Sequence, residues 1–500
     1  MDTIVVNTLH GPVRGRFRDG TASFLGVRYA APPFGPDRMR APRPPEPWSE
    51  VRDALRPGPA APQPGYGPAM AGLLLPAGEQ GEDCLNLNVW TPSAHRSQAG
   101  LPVMVWIHGG AFRNGSGSLP TYDGSAFARD GVVCVTLNYR LGPEGFLLLP
   151  DGTANLGLLD QIAALEWVRD NIAEFGGNPD NVTVFGQSAG AISITALMAM
   201  PRAEGLFHRA ITQSGAGHHA HSPATARLLT ERLAELAGVE CTTEALAAVS
   251  PQDLIAADAL LAQEIARSTD PGRWGESAGG GTTVLPVFGT QNLPERPVDA
   301  VAAGAGRHLD LLTGVTSEEF RLFLVPLGMA DRIDDTFLYG FLAALGLDPA
   351  AARTRYAASR PQAGAADLFS AVMTDHGYRI PALRVAEARA LHGADTYVYE
   401  FAQPSPVLDG VLGACHMAEL GYLFAGGSDP LADPAHHPKL SETVRAAWTS
   451  FARDGRPRHR GLPSWPAYLP DREVLRLTAD APAVVRDPRR DERLLWDGLR

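Results

Sequence analysis

The stretch that constrains this chain most is residues 181–200, NVTVFGQSAGAISITALMAM. Residues 182–185 are β-branched and aromatic, the composition of a short buried strand. Gly186-Gln187-Ser188-Ala189-Gly190 follows, and then a run of small and apolar residues of helical length. A serine between glycines at a strand-to-helix junction sits in a sharp turn, because only small residues let the backbone fold back so tightly. Such a turn lifts the Ser188 hydroxyl to the top of a sheet beside a helix N-terminus, where negative charge is favoured. A second match to the same pattern, Gly275-Glu276-Ser277-Ala278-Gly279, has no strand before it and runs into further glycines. It reads as a flexible surface loop with an idle serine.

The order of elements around the elbow predicts the fold class. Residues 3–30 read as short strands around Gly11-Pro12, Asp19-Gly20 and Gly26. Residues 31–82 are rich in Pro and Gly, yet Trp48, Tyr66, Met70 and residues 73–75 interleave, which suits an ordered surface loop near a pocket mouth. Residues 85–90 alternate like a half-buried strand, while 101–107 (LPVMVWI) and 132–138 are continuous apolar runs fit for central strands. Residues 155–175 place Leu158, Ile162, Leu165, Val168, Ile172 and Phe175 at helical spacing, ended by Gly176-Gly177. Residues 208–214 read as a further strand. Alternating strands and helices imply an open, mostly parallel sheet with helices on both faces, an α/β protein. Sites in such sheets lie at the carboxyl ends of the strands. The elbow and the turn His108-Gly109-Gly110-Ala111-Phe112 both lie there, so they are expected to share one sheet edge. Residues 223–265 and 327–393 are helical in pattern and read as capping segments.

A serine hydroxyl needs a base to become nucleophilic at neutral pH, and the base needs an acid to hold its tautomer. In the α/β-hydrolase chain order both follow the serine. The acid candidates are Glu318 and Glu319, in the turn after a strand at 309–312; one is expected to face the site and the other solvent. Of His376, His392, His416, His436, His437 and His459, only His416 stands after a strand (396–401) and a loop, just before an amphipathic helix. His108 precedes the serine, lies in the turn itself and reads as structural. His218, His219 and His221 lack a carboxylate or cysteine at a supporting spacing, so they read as a polar loop lining a pocket rather than a metal site.

Net charge is −12, which argues against non-specific binding to nucleic acid or anionic membranes. No basic-then-apolar leader opens the chain and no apolar run is long enough to span a bilayer, so the expectation is a cytoplasmic protein. Cys84, Cys134, Cys241 and Cys415 show neither CxxC nor Cys/His ligand spacing, which argues against a disulfide framework or structural zinc.

Longer segments then resemble a known family from end to end. They are FLGVRYAAPPFG with APRPPEPW, EDCLNLNVW, WIHGGAF, NYRLGPEGF, NLGLLDQIAALEWVRDNIAEFGGNPDNVTVFGQSAG, TGVTSEEF, GACHMAELGYLF, WTSFARDGRP and SWPAY. The chain resembles a type-B carboxylesterase of the cholinesterase-like α/β-hydrolase family, in the style of bacterial para-nitrobenzyl esterases. The resemblance implies one α/β-hydrolase domain over residues 1–500, with helical cap-like insertions at about 220–300 and 325–393. It implies Ser188 as nucleophile, Glu319 as acid and His416 as base, with an oxyanion hole from the N–H groups of Gly110, Ala111 and Ala189. Gly109, Gln187 and Ser214 would surround them, with Ser214 near the acid, and Arg38 would pair with Glu82. No cofactor or metal is implied, and the partner is a small-molecule ester, with the protein a monomer or weak homo-oligomer.

Some positions depart from the family. Phe320 stands where glycine is frequent and is expected to narrow the pocket. Gln187 replaces a frequent glutamate, which weakens any preference for cationic substrates. The cysteine that often pairs with the position of Cys84 is missing, so Cys84 is expected to be free. The reading is a serine carboxylesterase for short or medium acyl or aryl esters, with carbamates, amides and polyester oligomers as related substrates. The alternatives are a non-catalytic binding or adhesion protein on the same fold and a lipase.

Overall fold

The computed structural model describes residues 2–94, 99–268, 270–278, 280–425 and 428–499. The chain forms two compact units. The first is Met1–Gly65, Pro76–Ile211 and Gly217–Leu309; the second is Tyr66–Leu75, Thr212–Ala216 and Asp310–Arg500.

In the first unit β1 (Asp2–Thr8), β2 (Gly11–Arg18) and β3 (Thr21–Arg28) form an antiparallel meander, and the two-residue β4 (Arg52–Asp53) pairs with β2. The meander joins β5 (Asn86–Thr91), which pairs antiparallel with β7 (Val133–Leu137). There the direction changes: β6 (Leu101–Ile107) lies between β7 and β8 (Gly177–Gln187), parallel to both. Val103 to Ile107 are fully buried, as expected of a strand covered on both faces. β9 (Arg209–Gln213) starts beside β8, where the His208 N–H donates to Val182 O at 2.8 Å.

Helix α1 (Leu156–Asn171) buries Leu158, Ile162, Leu165 and Val168, the stripe that its sequence spacing predicts. The chain then tightens into a 3-10 turn, Ile172–Phe175, and stops at Gly176, whose φ of 83° only glycine adopts without strain. α2 (Ala189–Met198) follows the elbow. α3 (Pro223–Ala237) and α4 (Pro251–Ala266) each begin with proline after a serine whose hydroxyl accepts a backbone N–H of the first turn.

The first unit also encloses a fully buried ion pair. The Arg140 guanidinium donates to Asp160 Oδ2 at 2.8 Å and Oδ1 at 2.7 Å, and the Arg140 N–H donates to Oδ2 at 3.0 Å. Removing one partner leaves a buried charge without its counterion, which costs more than the pair contributes net. Asp160→Ala is therefore expected to cost about 3–5 kcal/mol. A thermal melt at pH 7 checks this; an unchanged melting temperature would contradict it.

In the second unit β10 (Asp310–Thr316), β11 (Thr396–Phe401) and β12 (Glu473–Leu477) run parallel, and β13 (Ala483–Arg486) is antiparallel to β12. Gly314 faces Tyr399 across the ladder, where a Cβ would lie 2.2 Å from the Tyr399 ring. Helices α5 (Asp335–Ala344), α6 (Pro349–Ala358) and α7 (Ala365–Thr374) pack around Leu338, Leu342, Tyr356, Phe369 and Trp496. A wide π-turn, Asp375–Arg379, joins α7 to α8 (Ile380–Ala390). α9 (Pro438–Asp454) carries the buried Trp448.

Candidate active site

The elbow is built as its residues dictate. Ser188 adopts φ 55° and ψ −122°, a conformation that L-residues rarely hold and that surrounding structure must enforce. Both neighbouring glycines press on β6: a Cβ on Gly190 would lie 1.9 Å from Ile107 O, and one on Gly186 would lie 2.7 Å from it. Gln187 and Ala189 are buried, while Ser188 is only half-buried. The parallel register pairs Ile107 with Gly186, so the turn after β6 and the elbow leave the same edge of the sheet, as expected.

Within the turn, Gly110 O accepts from the N–H groups of Arg113 at 3.0 Å and Asn114 at 2.9 Å. Ala111 and Phe112 hold left-handed φ angles of 55° and 59°. No turn or loop bond of the described backbone uses the N–H of Gly110 or Ala111. The Ala189 N–H is the first of α2 and has no partner within the helix. Gly109 touches the elbow, and a Cβ there would lie 2.7 Å from Gln187 O. His108 is buried and stacked on Tyr139 at 4.5 Å, and its Nδ1 lies 2.8 Å from Gly109 O. Burial lowers its pKa to about 4, so the ring is neutral at physiological pH.

In the second unit the structure brings Glu319 and His416 together. Glu319 Oε2 lies 2.5 Å from His416 Nδ1, with both side chains almost fully buried. The Thr316 N–H donates to Glu319 Oε1 at 2.7 Å, and the His416 N–H donates to Glu319 O at 3.2 Å. The acid thus has one oxygen fixed by the backbone and the other on the imidazole. Nε2 is the ring nitrogen that this contact does not use. The His416 ring lies between Phe323 at 5.2 Å and Tyr378, carried by the π-turn, at 5.0 Å.

Glu318 is not simply a solvent-facing residue. Its Oε2 accepts the Ala414 N–H at 3.0 Å, and its own N–H donates to Ala414 O at 3.0 Å, so it clips the loop that carries His416. Arg321 adds a bond to Val411 O at 2.8 Å. Ser214 donates its N–H to Gly314 O at 2.8 Å, and its hydroxyl is buried without a hydrogen-bond partner among the described residues.

Glu419, three residues after His416 and just before the short helix Leu420–Phe424, is a residue that the sequence reasoning does not single out; its spacing from the histidine is the available signal. Its Oε1 accepts from Gln213 Nε2 at 3.0 Å, Gln213 in turn accepts from Trp448 Nε1 at 3.1 Å, and its Oε2 has no partner among the described residues. Burial, with the charge of Glu319 second, raises its pKa from 4.5 to about 8. Between these values the folded protein keeps a proton that the unfolded chain releases. The associated stability is present in full below pH 4.5 and is lost as pH rises towards 8. Glu419→Gln is expected to flatten that decline, roughly 2–4 kcal/mol across the window. Denaturant midpoints of both proteins at pH 5 and pH 8 read the difference, and parallel declines would refute it.

Two expectations, the Ser277 surface loop and the Arg38–Glu82 pair, need correction. Ser277 is buried, and its Oγ lies 2.8 Å from Nε2 of the equally buried His221, so residues 275–277 are a pinned 3-10 turn and not a surface loop. Gly279, the last residue of that motif, lies outside the described residues. Apolar neighbours and this polar link stabilise the segment where the glycine count suggested none. Arg38 pairs with Glu144 and with the carbonyls of Ala247 and Val249; Glu82 is exposed. Phe320 packs into the helical core, 5.8 Å from Phe369. The four cysteines are unpaired. Among the described residues no group of His, Cys, Asp and Glu could hold a metal ion, and no helix is long and apolar enough to cross a membrane.

Residues 2–495 match the model of the carboxylesterase family. The chain belongs to that family. It is a carboxylic ester hydrolase of the α/β-hydrolase fold, with a large, mostly parallel sheet and flanking helices. It is 39% identical to the para-nitrobenzyl esterase of Bacillus subtilis (strain 168), over 98% of this chain and 97% of that protein. It is 36% identical to the phenmedipham hydrolase of Pseudarthrobacter oxydans, over 97% of each. Among solved structures, the carboxylesterase EST55 of Geobacillus stearothermophilus superposes with a TM-score of 0.86 at 36% identity, over 98% of this chain and 99% of that one.

Proposed function

We propose that this carboxylesterase works through an acyl-enzyme at Ser188. The His416–Glu319 contact of 2.5 Å, on a chain that also presents Ser188 on a strained elbow, carries the reading. His416 Nε2 takes the Ser188 proton as Oγ attacks the ester carbonyl, and Glu319 steadies the resulting imidazolium. The N–H groups of Gly110, Ala111 and Ala189 take up the charge on the tetrahedral oxygen. The imidazolium returns its proton to the departing alcohol. Water, deprotonated by the same histidine, then releases the carboxylate and restores Ser188. Gln187 is uncharged, and short or medium acyl or aryl esters fit the reading. Hydrolysis of para-nitrophenyl acetate, butyrate and octanoate by wild type and Ser188→Ala tests it. Loss of turnover on all three supports the mechanism. Equal rates in both proteins remove Ser188 from the mechanism.

A further inference from the structure

The turn that follows β6 is held from outside, and one of its holds comes from the Pro-rich stretch. Gln63 is buried, and its side-chain amide pairs with the backbone of Gly115 at two points. The Gly115 N–H donates to Gln63 Oε1 at 2.7 Å, and Gln63 Nε2 donates to Gly115 O at 2.8 Å and to Ala61 O at 3.0 Å. The arrangement copies one rung of a β-ladder with a side chain in place of a strand. Gln63 is itself fixed, because its N–H donates to Gln80 Oε1 at 2.9 Å.

What Gln63 holds bears directly on the peptide between Gly109 and Gly110. Gly115 has φ 113°, and a Cβ there would lie 2.5 Å from both Gly109 O and His108 Nδ1. The Gly109 carbonyl is therefore confined between the neutral His108 ring and the Gly115 backbone. In a trans peptide the C=O and the following N–H point in opposite directions. Confining Gly109 O on one side aims the Gly110 N–H to the other.

We infer that Gln63 is a positioning residue for the oxyanion-binding turn: it fixes Gly115, which fixes the Gly109–Gly110 peptide and so the direction of the Gly110 N–H. This rests on the acyl-enzyme reading of Ser188. A residue with this role affects the tetrahedral state and leaves ground-state ester binding alone.

The test uses Gln63→Met, which keeps the length of the side chain and removes its hydrogen bonds. On para-nitrophenyl butyrate, kcat is expected to fall about 10- to 100-fold with KM within about threefold. An alkyl trifluoromethyl ketone supplies the second readout. Ser188 Oγ bonds to its carbonyl carbon, the π pair moves onto oxygen, and the serine proton goes to His416, so its affinity reports the oxyanion contact. It is expected to weaken by the same factor as kcat. A kcat within twofold of wild type, or a raised KM at unchanged kcat, overturns the inference. If Gln63→Met does not fold, Gln80→Ala removes the bond that seats Gln63; about a threefold drop in kcat at constant KM is then expected, and no drop overturns it. Ser188→Ala in the same assay separates the two ideas. Turnover that survives Ser188→Ala sinks the acyl-enzyme reading itself. Turnover lost in Ser188→Ala and intact in Gln63→Met sinks only the role of Gln63.

Discussion

Ser188→Ala is expected to lower kcat/KM for para-nitrophenyl acetate by about 10⁴-fold or more, with no loss of melting temperature. The size follows from what is removed. On the proposed mechanism, without Oγ no acyl-enzyme forms, and His416 has only water to activate, which is not held at the carbonyl carbon. What survives is whatever the oxyanion donors and substrate binding provide by themselves. The fold is spared because alanine fits the half-buried position and meets no added atoms. It inherits the same left-handed φ of 55°, so the strain of the elbow neither rises nor falls. A drop of less than about tenfold would place the chemistry on another nucleophile.

Glu319→Gln is expected to be nearly as damaging, at about 10³- to 10⁴-fold in kcat with little change in KM. The substitution keeps the volume of the side chain and its bond from the Thr316 N–H. Two effects then act together. On the proposed mechanism the amide no longer offsets the positive charge that His416 gains in the transition state. Its NH₂ can also donate to Nδ1, which puts the ring proton on Nε2 and leaves His416 unable to accept from serine. Glu318→Gln is the matched control, since Glu318 touches the loop backbone and not the imidazole. A kcat for Glu319→Gln within tenfold of wild type would remove Glu319 from the mechanism.

Much of this was legible in the chain itself, and the reasons are local. The β6 run is apolar at every position and the elbow is glycine, serine and small residues, so short-range sterics alone predict strand, turn and helix there. The β6–β8 register then had to bring both turns to one edge, and it does. Glu319 and Glu318 were indistinguishable by such arguments, because nothing in two adjacent glutamates says which meets a histidine nearly a hundred residues on. Gln63 was invisible for a related reason. A lone amide among prolines acquires its role only when Gly115 arrives, and the loop between them has no periodicity to read. Ser277 misled in the opposite sense: glycine-rich surroundings suggested mobility, whereas a buried histidine pins the turn.

The left-handed backbone at Ala111, Ser188 and Met417 has a consequence for engineering this scaffold. Each is a position where glycine would relax the chain, typically by about 1 kcal/mol per site. Each also borders the turn after β6, the elbow or His416. A library sorted only for heat resistance will therefore be drawn to these three positions and return sturdier, slower proteins. Sorting for residual turnover after heating keeps the two properties apart and directs improvement to surfaces distant from the site.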